Sequence, residues 1–445
     1  AEAAADQLCA WDANTRRFGL QSLGLLGVAA AEHVPAMAKL LEDEEPEVRR
    51  AACAALGRVK GGARDLVLAL KDAEAGVRAE AATALGGQAL AVGQLTSLAS
   101  MAKDVDQEVQ MAAVKSLATL NQATYLDQFM LSDFPTVVRA AVMEMGRCPL
   151  ARQEHSSCFS TALSHEDASV RLAAAQACGE LGLQCQEAHF TALTMRRYDP
   201  QVKVRRAAVQ ALGRAAPAGG TRIPAFFKDK EDSLRHFAAE TLGSTGDEAA
   251  AACCAQLLTE GVAGTVKSAA LLALGRMKLP AWSPQVAGCL HDSELGTRLA
   301  AIQALSDLGA ESQAKELQAL SGDQNKGVRQ AAVAALAKMG SAGAEAACSF
   351  LEDQDPAVRQ SAVRVYSPLH SKLKASFAKP YTALVAQRLL DEDWRVRLAA
   401  VVALGDLDAS SFAAELGALH QDPDLQVRRS AVAALEKLSA SPALV

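Results

Sequence analysis

Residues 46–57 read PEVRRAACAALG, and the apolar positions Val48, Ala52, Cys53 and Leu56 trace one face of an α-helix, with charged or small residues between them. Much of the phrase returns as PAVRQSAVRVY at 356–366 and as DLQVRRSAVAAL at 424–435. Taking the arginine after the valine as an anchor, the slots are Arg16, Arg49, Arg78, Gln110, Val138, Arg171, Arg205, Arg235, Lys267, Arg298, Arg329, Arg359, Arg397 and Arg428. Twelve of the fourteen slots are basic, and successive slots lie 28–38 residues apart, so the pattern is periodic along the whole chain. Three places after the anchor stands alanine in thirteen slots, from Ala52 to Ala431, with Gly19 in the first. A residue always that small predicts a neighbouring helix too close for anything larger.

The helix start is written as well. An acid or Asn is common four places before the anchor, as at Glu45, Asp106, Asp167, Asn325, Asp355, Asp393 and Asp424, and Pro46, Pro135 and Pro356 follow at the first helical position. Gly57, Gly86, Gly213, Gly275 and Gly405 are expected to close their helices. A second apolar segment precedes each loop, such as VPAMAKLLED or AELGALHQD. Each unit is then two antiparallel helices, A followed by B. Neither can bury its face alone, so the pairs must stack. The prediction is an all-α fold, an α-solenoid of about 14 two-helix repeats, with residues 1–445 as a single repeat domain.

The columns Asp, Pro, Val-Arg, Ala-Ala and Ala-Leu-Gly resemble HEAT repeats, of the short kind also found in phycobilisome-lyase-like proteins. The resemblance covers nearly the whole chain. It implies a superhelical scaffold that binds other proteins, and it leaves open a bilin-lyase-like or chromophore-carrier role. Among HEAT-like enzymes, deoxyhypusine hydroxylase holds two irons with repeated His-Glu pairs. Here His165-Glu166 stands alone and His236 is followed by Phe237, so that activity is not expected.

Composition changes this picture little. Half the residues are apolar, 22% are charged and 4% are aromatic, and the net charge is −6. A core this poor in rings must rely on Ala, Leu and Val. The mild charge demands neither nucleic acid nor membrane as partner. Ten cysteines show no C-x-x-C pair, which points to reduced thiols in an intracellular compartment. The longest charge-free run, 81–102, contains Gln88, Gln94 and three glycines and is not a membrane span. No metal or cofactor is expected.

An Asp stands six places before the anchor in ten repeats. This predicts a structural ladder in which Arg49, Arg78, Arg171, Arg205, Arg235, Arg298, Arg329, Arg359, Arg397 and Arg428 meet inter-helix carboxylates of their own or the adjacent repeat. Partner binding should then use residues that the repeat does not require. Offsets +1, +5 and +9 on helix B point away from the packed face, which nominates Arg139, Met143 and Arg147 in repeat five and Arg206, Gln210 and Arg214 in repeat seven. Arg50, one place after its anchor, joins them.

Between Met195 and His236 stand ten basic and four acidic residues, a local +6. That stretch suits an acidic protein segment, or an anionic surface or nucleic acid, although no aromatic pattern for stacking on bases accompanies it. The 38-residue step between Arg359 and Arg397 marks an irregular insertion near 366–381, whose Tyr366, Lys372, Lys374 and Phe377 are further candidates for partner contact. Pro217–Pro224, PAGGTRIP, reads as a looser turn and lacks the spacing of a phosphate loop. Neither end of the sequence carries a distinct polar capping helix, so a longer chain or a docked neighbour is expected there.

Overall fold

The structure is a computed structural model, and it describes residues 1–149, 154–259, 262–367 and 375–440. Helices make up all its regular secondary structure among the described residues. It divides into two compact units, Ala1–Arg222 and Ile223–Val445. Within each unit the predicted helix pairs stack as an α-solenoid. In the first, the B helices are Ala13–Leu26, Pro46–Val59, Ala75–Leu85, Gln107–Thr119, Pro135–Arg147, Ala168–Leu181 and Val202–Arg214. In the second they are Asp232–Gly243, Gly264–Met277, Leu295–Leu308, Lys326–Leu336, Pro356–Arg364, Trp394–Asp406 and Leu425–Ala440. The A helices are shorter, and two are 3-10 throughout, Ala123–Leu131 and Gly220–Lys228.

The alanine column is buried from end to end, as Ala52, Ala174, Ala301 and Ala400 show. Gly19 occupies the same slot beside the first A helix, where an added Cβ would lie 2.8 Å from the Ala4 carbonyl oxygen. Helix starts are capped as the sequence implied. The carboxylates of Asp106 and Asp167 each accept two backbone N–H groups of the first turn, and Asn325, Asp355 and Asp393 accept one. Glu45 makes no such bond. Its own N–H instead donates to Asp43 Oδ1 at 3.0 Å.

Of the glycines expected to close helices, Gly86 stands at the C-cap of Ala75–Leu85, and the others lie inside their helices. The helices of Gly57 and Gly275 end in left-handed residues, Lys60 and Lys278. An added Cβ at Gly57 would lie 2.8 Å from Ala84 Cβ, at Gly275 2.8 Å from Ala304 Cα, and at Gly405 3.1 Å from Ala434 Cβ. Each glycine sits eight places after its anchor and faces a residue six places after the next anchor. The column is a seam of close approach between successive B helices, and Gly146 against Ala177 repeats it. Helix stops and tight seams both favour glycine, and the sequence does not separate them.

Anchor cations link one repeat to the next. Arg16–Asp43, Arg49–Asp72, Arg78–Asp104 and Arg171–Asp199 pair at 2.6–2.7 Å in the first unit. Lys267–Asp292, Arg298–Asp323, Arg329–Asp353, Arg359–Asp391 and Arg397–Asp422 pair at 2.7–2.9 Å in the second. In each of these nine pairs the carboxylate belongs to the following repeat, whereas Arg235 meets Asp232 of its own helix. The third guanidinium nitrogen donates backward, to carbonyls in the turn before its own helix, as Arg49 does to Asp43 and Glu44. Arg205, Arg235 and Arg428 make the backward bonds too. Each carboxylate also accepts the N–H two residues on, for example Asp104 from Asp106 and Asp353 from Asp355. One aspartate thus shapes its own turn and holds the preceding repeat.

Where the anchor changes, the chemistry changes with it. Gln110 accepts a bond from the Ser132 hydroxyl at 2.6 Å, a neutral substitute for the ion pair. At Val138 there is no charge to match, and His165 stands in the aspartate slot, its Nδ1 accepting the Asp167 N–H.

Burial alone would raise the carboxyls of Asp43, Asp72, Asp104 and Asp199, but the arginine bonds and the turn N–H outweigh it, and all four titrate below the ordinary range. For Asp422 the bond from Arg397 is the leading cause and acts in the same direction. A depressed folded-state value stabilises the fold above the unfolded carboxyl range and is lost as pH falls through the depressed value. Thermal melting should therefore be nearly constant between about pH 7 and 5 and drop steeply below about 4. A melting temperature that declines evenly from neutrality would contradict this assignment.

Candidate partner-binding groove

In repeats five to seven the B helices Pro135–Arg147, Ala168–Leu181 and Val202–Arg214 lie side by side, and their outward positions border one groove of about 480 Å3. Its floor is made of small residues, Gly146, Ala173, Ala177, Gly179, Ala207 and Ala211. The seam explains the floor, since helices that approach through Gly and Ala leave no side chain to fill the space above. Met143 and Arg147 form one wall, Gln176 and Glu180 a middle ridge, and Gln210 and Arg214 the other wall.

The rim is polar and balanced in charge. Arg147 Nη1 donates to Glu144 at 2.7 Å on its own helix, and Arg214 Nη1 donates to Glu180 at 2.7 Å across to the preceding one. Both arginines are about half exposed or more, so such pairs contribute roughly 0–1 kcal/mol and leave the cations available for exchange with a ligand. Gln176 and Gln210 are exposed at equivalent places in successive repeats. The arrangement offers shape, amide donors and acceptors, and exchangeable charge, and it holds no nucleophile–base pair.

Four of the nominated residues, Met143, Arg147, Gln210 and Arg214, are thus brought together. Gln176 and Glu180 escaped nomination, although they occupy the same offsets in repeat six. Arg139 and Arg206 are exposed on the same helices but do not border this groove. Arg50 lies elsewhere, in a smaller groove of about 270 Å3 with Arg17, Glu47, Arg58 and Glu80, and it approaches Glu80 at 3.7 Å.

Tyr366 is corrected outright. It is 0% exposed, stacks on Tyr381 at 5.4 Å between ring centroids, and donates its hydroxyl to the Ala344 carbonyl at 3.0 Å. The ring replaces the core leucine of its column, so it packs the interior and cannot meet a partner. Lys372, Lys374 and the side chain of Phe377 lie outside the described residues.

Several cations of the basic stretch are engaged by neighbouring groups. In the first unit Arg205 is buried on turn carbonyls, Arg222 pairs with Glu187, and Arg196 lies 3.9 Å from Asp199. In the second unit Arg235 is held by the Asp229 carbonyl and the Asp232 carboxylate. Arg197 instead stacks over the exposed Tyr198 ring at 4.4 Å.

His189 is a satisfied core histidine, its Nδ1 accepting the Gln186 N–H and its Nε2 donating to the Ser156 carbonyl. All ten cysteines are free, and burial pushes the Cys53 thiol up to about 12. Among the described residues there is no His, Cys, Asp and Glu cluster able to hold a metal, and no helix long and apolar enough to cross a membrane.

Comparison with curated proteins gave no match. Among solved structures, Kap121p superposes with a TM-score of 0.51 at 11% identity, over 98% of this chain and 56% of that one. Kap121p bound to Pho4p gives 0.51 at 12% identity, over 98% of this chain and 60% of that one, and the Ste12p complex gives 0.51 at 11%, over 98% and 59%. The chain therefore spans little more than half of those proteins, and at such identities the likeness is one of fold. The family model for HEAT repeats matches residues 1–86, 126–213, 191–275, 221–306, 255–337 and 315–378, and the chain belongs to the HEAT-repeat family.

Proposed function

We propose that this protein is a non-enzymatic scaffold that binds other proteins through its helix-B face, as a subunit of a larger assembly. The observation that carries the reading is the groove across repeats five to seven, with its floor of Gly and Ala and its rim of Met143, Arg147, Gln176, Glu180, Gln210 and Arg214. A surface of that kind accepts a protein segment by shape and by amide and charged contacts, with specificity set at the rim. Kap121p, which shares the fold, has been captured bound to Pho4p and to Ste12p, and this supports a protein-binding role. Repeat spacing runs on through residues 205 to 235, so we read 1–445 as one repeat domain. The free thiols favour a reducing, intracellular setting.

A photo-crosslinking residue at Gln210, introduced in cells, should yield one discrete protein adduct, whereas the same residue at Lys71, in the turn after helix A, should not. Equal labelling at both sites, or adducts with nucleic acid, would count against this reading. Visible absorbance in the purified protein would point instead to a chromophore carrier.

A further inference from the structure

The first unit carries recesses of one plan at two places on its helix-B face. Gly57, Arg58 and Ala84 border one of about 220 Å3 between repeats two and three. Gly146, Arg147 and Ala177 take the same offsets in the groove of repeats five to seven. Charge follows the same rows. Offsets +1, +5 and +9 define 21 outward positions in the seven repeats of this unit, of which eight are basic and one, Glu180, is acidic. Residues 1–222 as a whole carry 23 basic and 25 acidic side chains, so the face is strongly positive within a nearly balanced unit. The third offset holds Arg58, Arg147 and Arg214, the second Lys115, and the first four more arginines, among them Arg50 and Arg206. Seven of the eight cations are exposed. The arginine stems of the third offset are seated against the preceding helix. An added Cβ at Gly24 would lie 3.5 Å from Arg58 Cδ, and one at Gly179 3.6 Å from Arg214 Cδ. Stems held in this way lose less freedom when a ligand arrives.

We propose that the helix-B face of residues 1–222 binds an extended acidic polypeptide segment, which crosses the helices from repeat two to repeat seven and places carboxylates on Arg58, Arg147 and Arg214. The inference rests on the protein-binding reading above and gives that partner its chemistry. At about 9 Å per B helix, the three arginines stand about 27 and about 18 Å apart along their row, which an extended chain covers in about eight and about six residues. Gln176 and Gln210, exposed beside this path, can donate to and accept from the peptide main chain. A nucleic-acid strand suits the face less well. It carries a charge on every nucleotide, so phosphates would fall beside Glu80 and Glu180, whereas a polypeptide can set neutral residues there. None of the 21 outward positions is aromatic, so bases have nothing to stack on.

The test uses the full chain and a fluorescein-labelled synthetic peptide of about 20 residues, Gly and Ser except for three Asp-Glu pairs at those spacings. Fluorescence anisotropy in low salt should show binding that weakens as salt rises and that the matching Asn-Gln peptide lacks. Arg58→Ser with Arg147→Ser and Arg214→Ser, with an unchanged circular dichroism spectrum, should weaken it roughly 10-fold. Lys39→Ser with Lys71→Ser and Lys103→Ser makes the same charge change at exposed sites outside the B helices and should weaken it less than about 2-fold. No binding at about 1 mM, equal losses in the two triple variants, or tighter binding of an oligothymidylate of about 20 nucleotides would each overturn the proposal. A discrete protein adduct at Gln210 alongside any of these would remove the acidic ligand and leave the protein-binding reading intact.

Discussion

Replacing Arg329 with alanine should destabilise the second unit by about 3–5 kcal/mol. The side chain and its partner Asp353 are only 4% and 3% exposed. Nε and Nη2 donate to the two carboxylate oxygens at 2.7 and 3.0 Å, and Nη1 donates to the Asp323 carbonyl at 2.9 Å. Truncation leaves a buried carboxylate without its countercharge and a half-buried carbonyl without its donor, and both penalties fall on the folded state. Lysine should recover part of the loss. Lys267 shows how, since it reaches Asp292 at 2.8 Å, yet a single ammonium cannot serve both carboxylate oxygens and the turn in the same geometry. The double variant Arg329→Met with Asp353→Leu should recover only part of it, because it removes the stranded charge but leaves the Asp323 carbonyl and the Asp355 N–H without their partners. Urea melting followed by circular dichroism checks all three. An unchanged midpoint in Arg329→Ala would show that the ion pair does not hold the repeats.

The ladder also shows what a single sequence can and cannot express. The arginine column, the aspartate column and the alanine column are each legible, because every repeat imposes the same demand at the same offset. The direction of the pairing is not. Nothing in the spacing says that Arg49 takes its carboxylate from Asp72, in the next repeat, and its carbonyls from Asp43 and Glu44, in its own. That follows from how far one B helix is offset along its neighbour, a property of packing. Tyr366 misleads for a related reason. An aromatic residue beside an irregular step reads as a surface feature, and only the position of Ala344 and Tyr381 shows that the ring is enclosed. The groove was half legible. Offsets named its outer walls at Arg147, Gln210 and Arg214, but its ridge at Gln176 and Glu180 and its floor depend on how closely the three helices approach.

That approach is set by the glycine seam, and the seam gives the second large effect. Gly57→Val should cost about 3 kcal/mol or more, and Gly57→Ala about 1–2. In an ordinary helix interior, Gly to Ala gains up to about 1 kcal/mol from reduced chain entropy, so a loss at Gly57 must come from overpacking. The geometry supplies it. A new Cβ would meet Ala84 Cβ at 2.8 Å and Ala84 Cα at 2.9 Å, and neither is the end of a flexible side chain that could swing aside. Relief requires the helix Pro46–Val59 to move off Ala75–Leu85, and this strains the Arg49–Asp72 pair that ties the same two repeats. Gly76 is the control. It lies in the first turn of Ala75–Leu85 with nothing within 4 Å of an added Cβ, so Gly76→Ala should stabilise by about 0.5 kcal/mol. Opposite signs for the same substitution at Gly57 and Gly76, read from urea midpoints, distinguish a packing seam from a helix stop. If both variants stabilise, the helices can part freely at Gly57, and glycine there serves the turn rather than the contact.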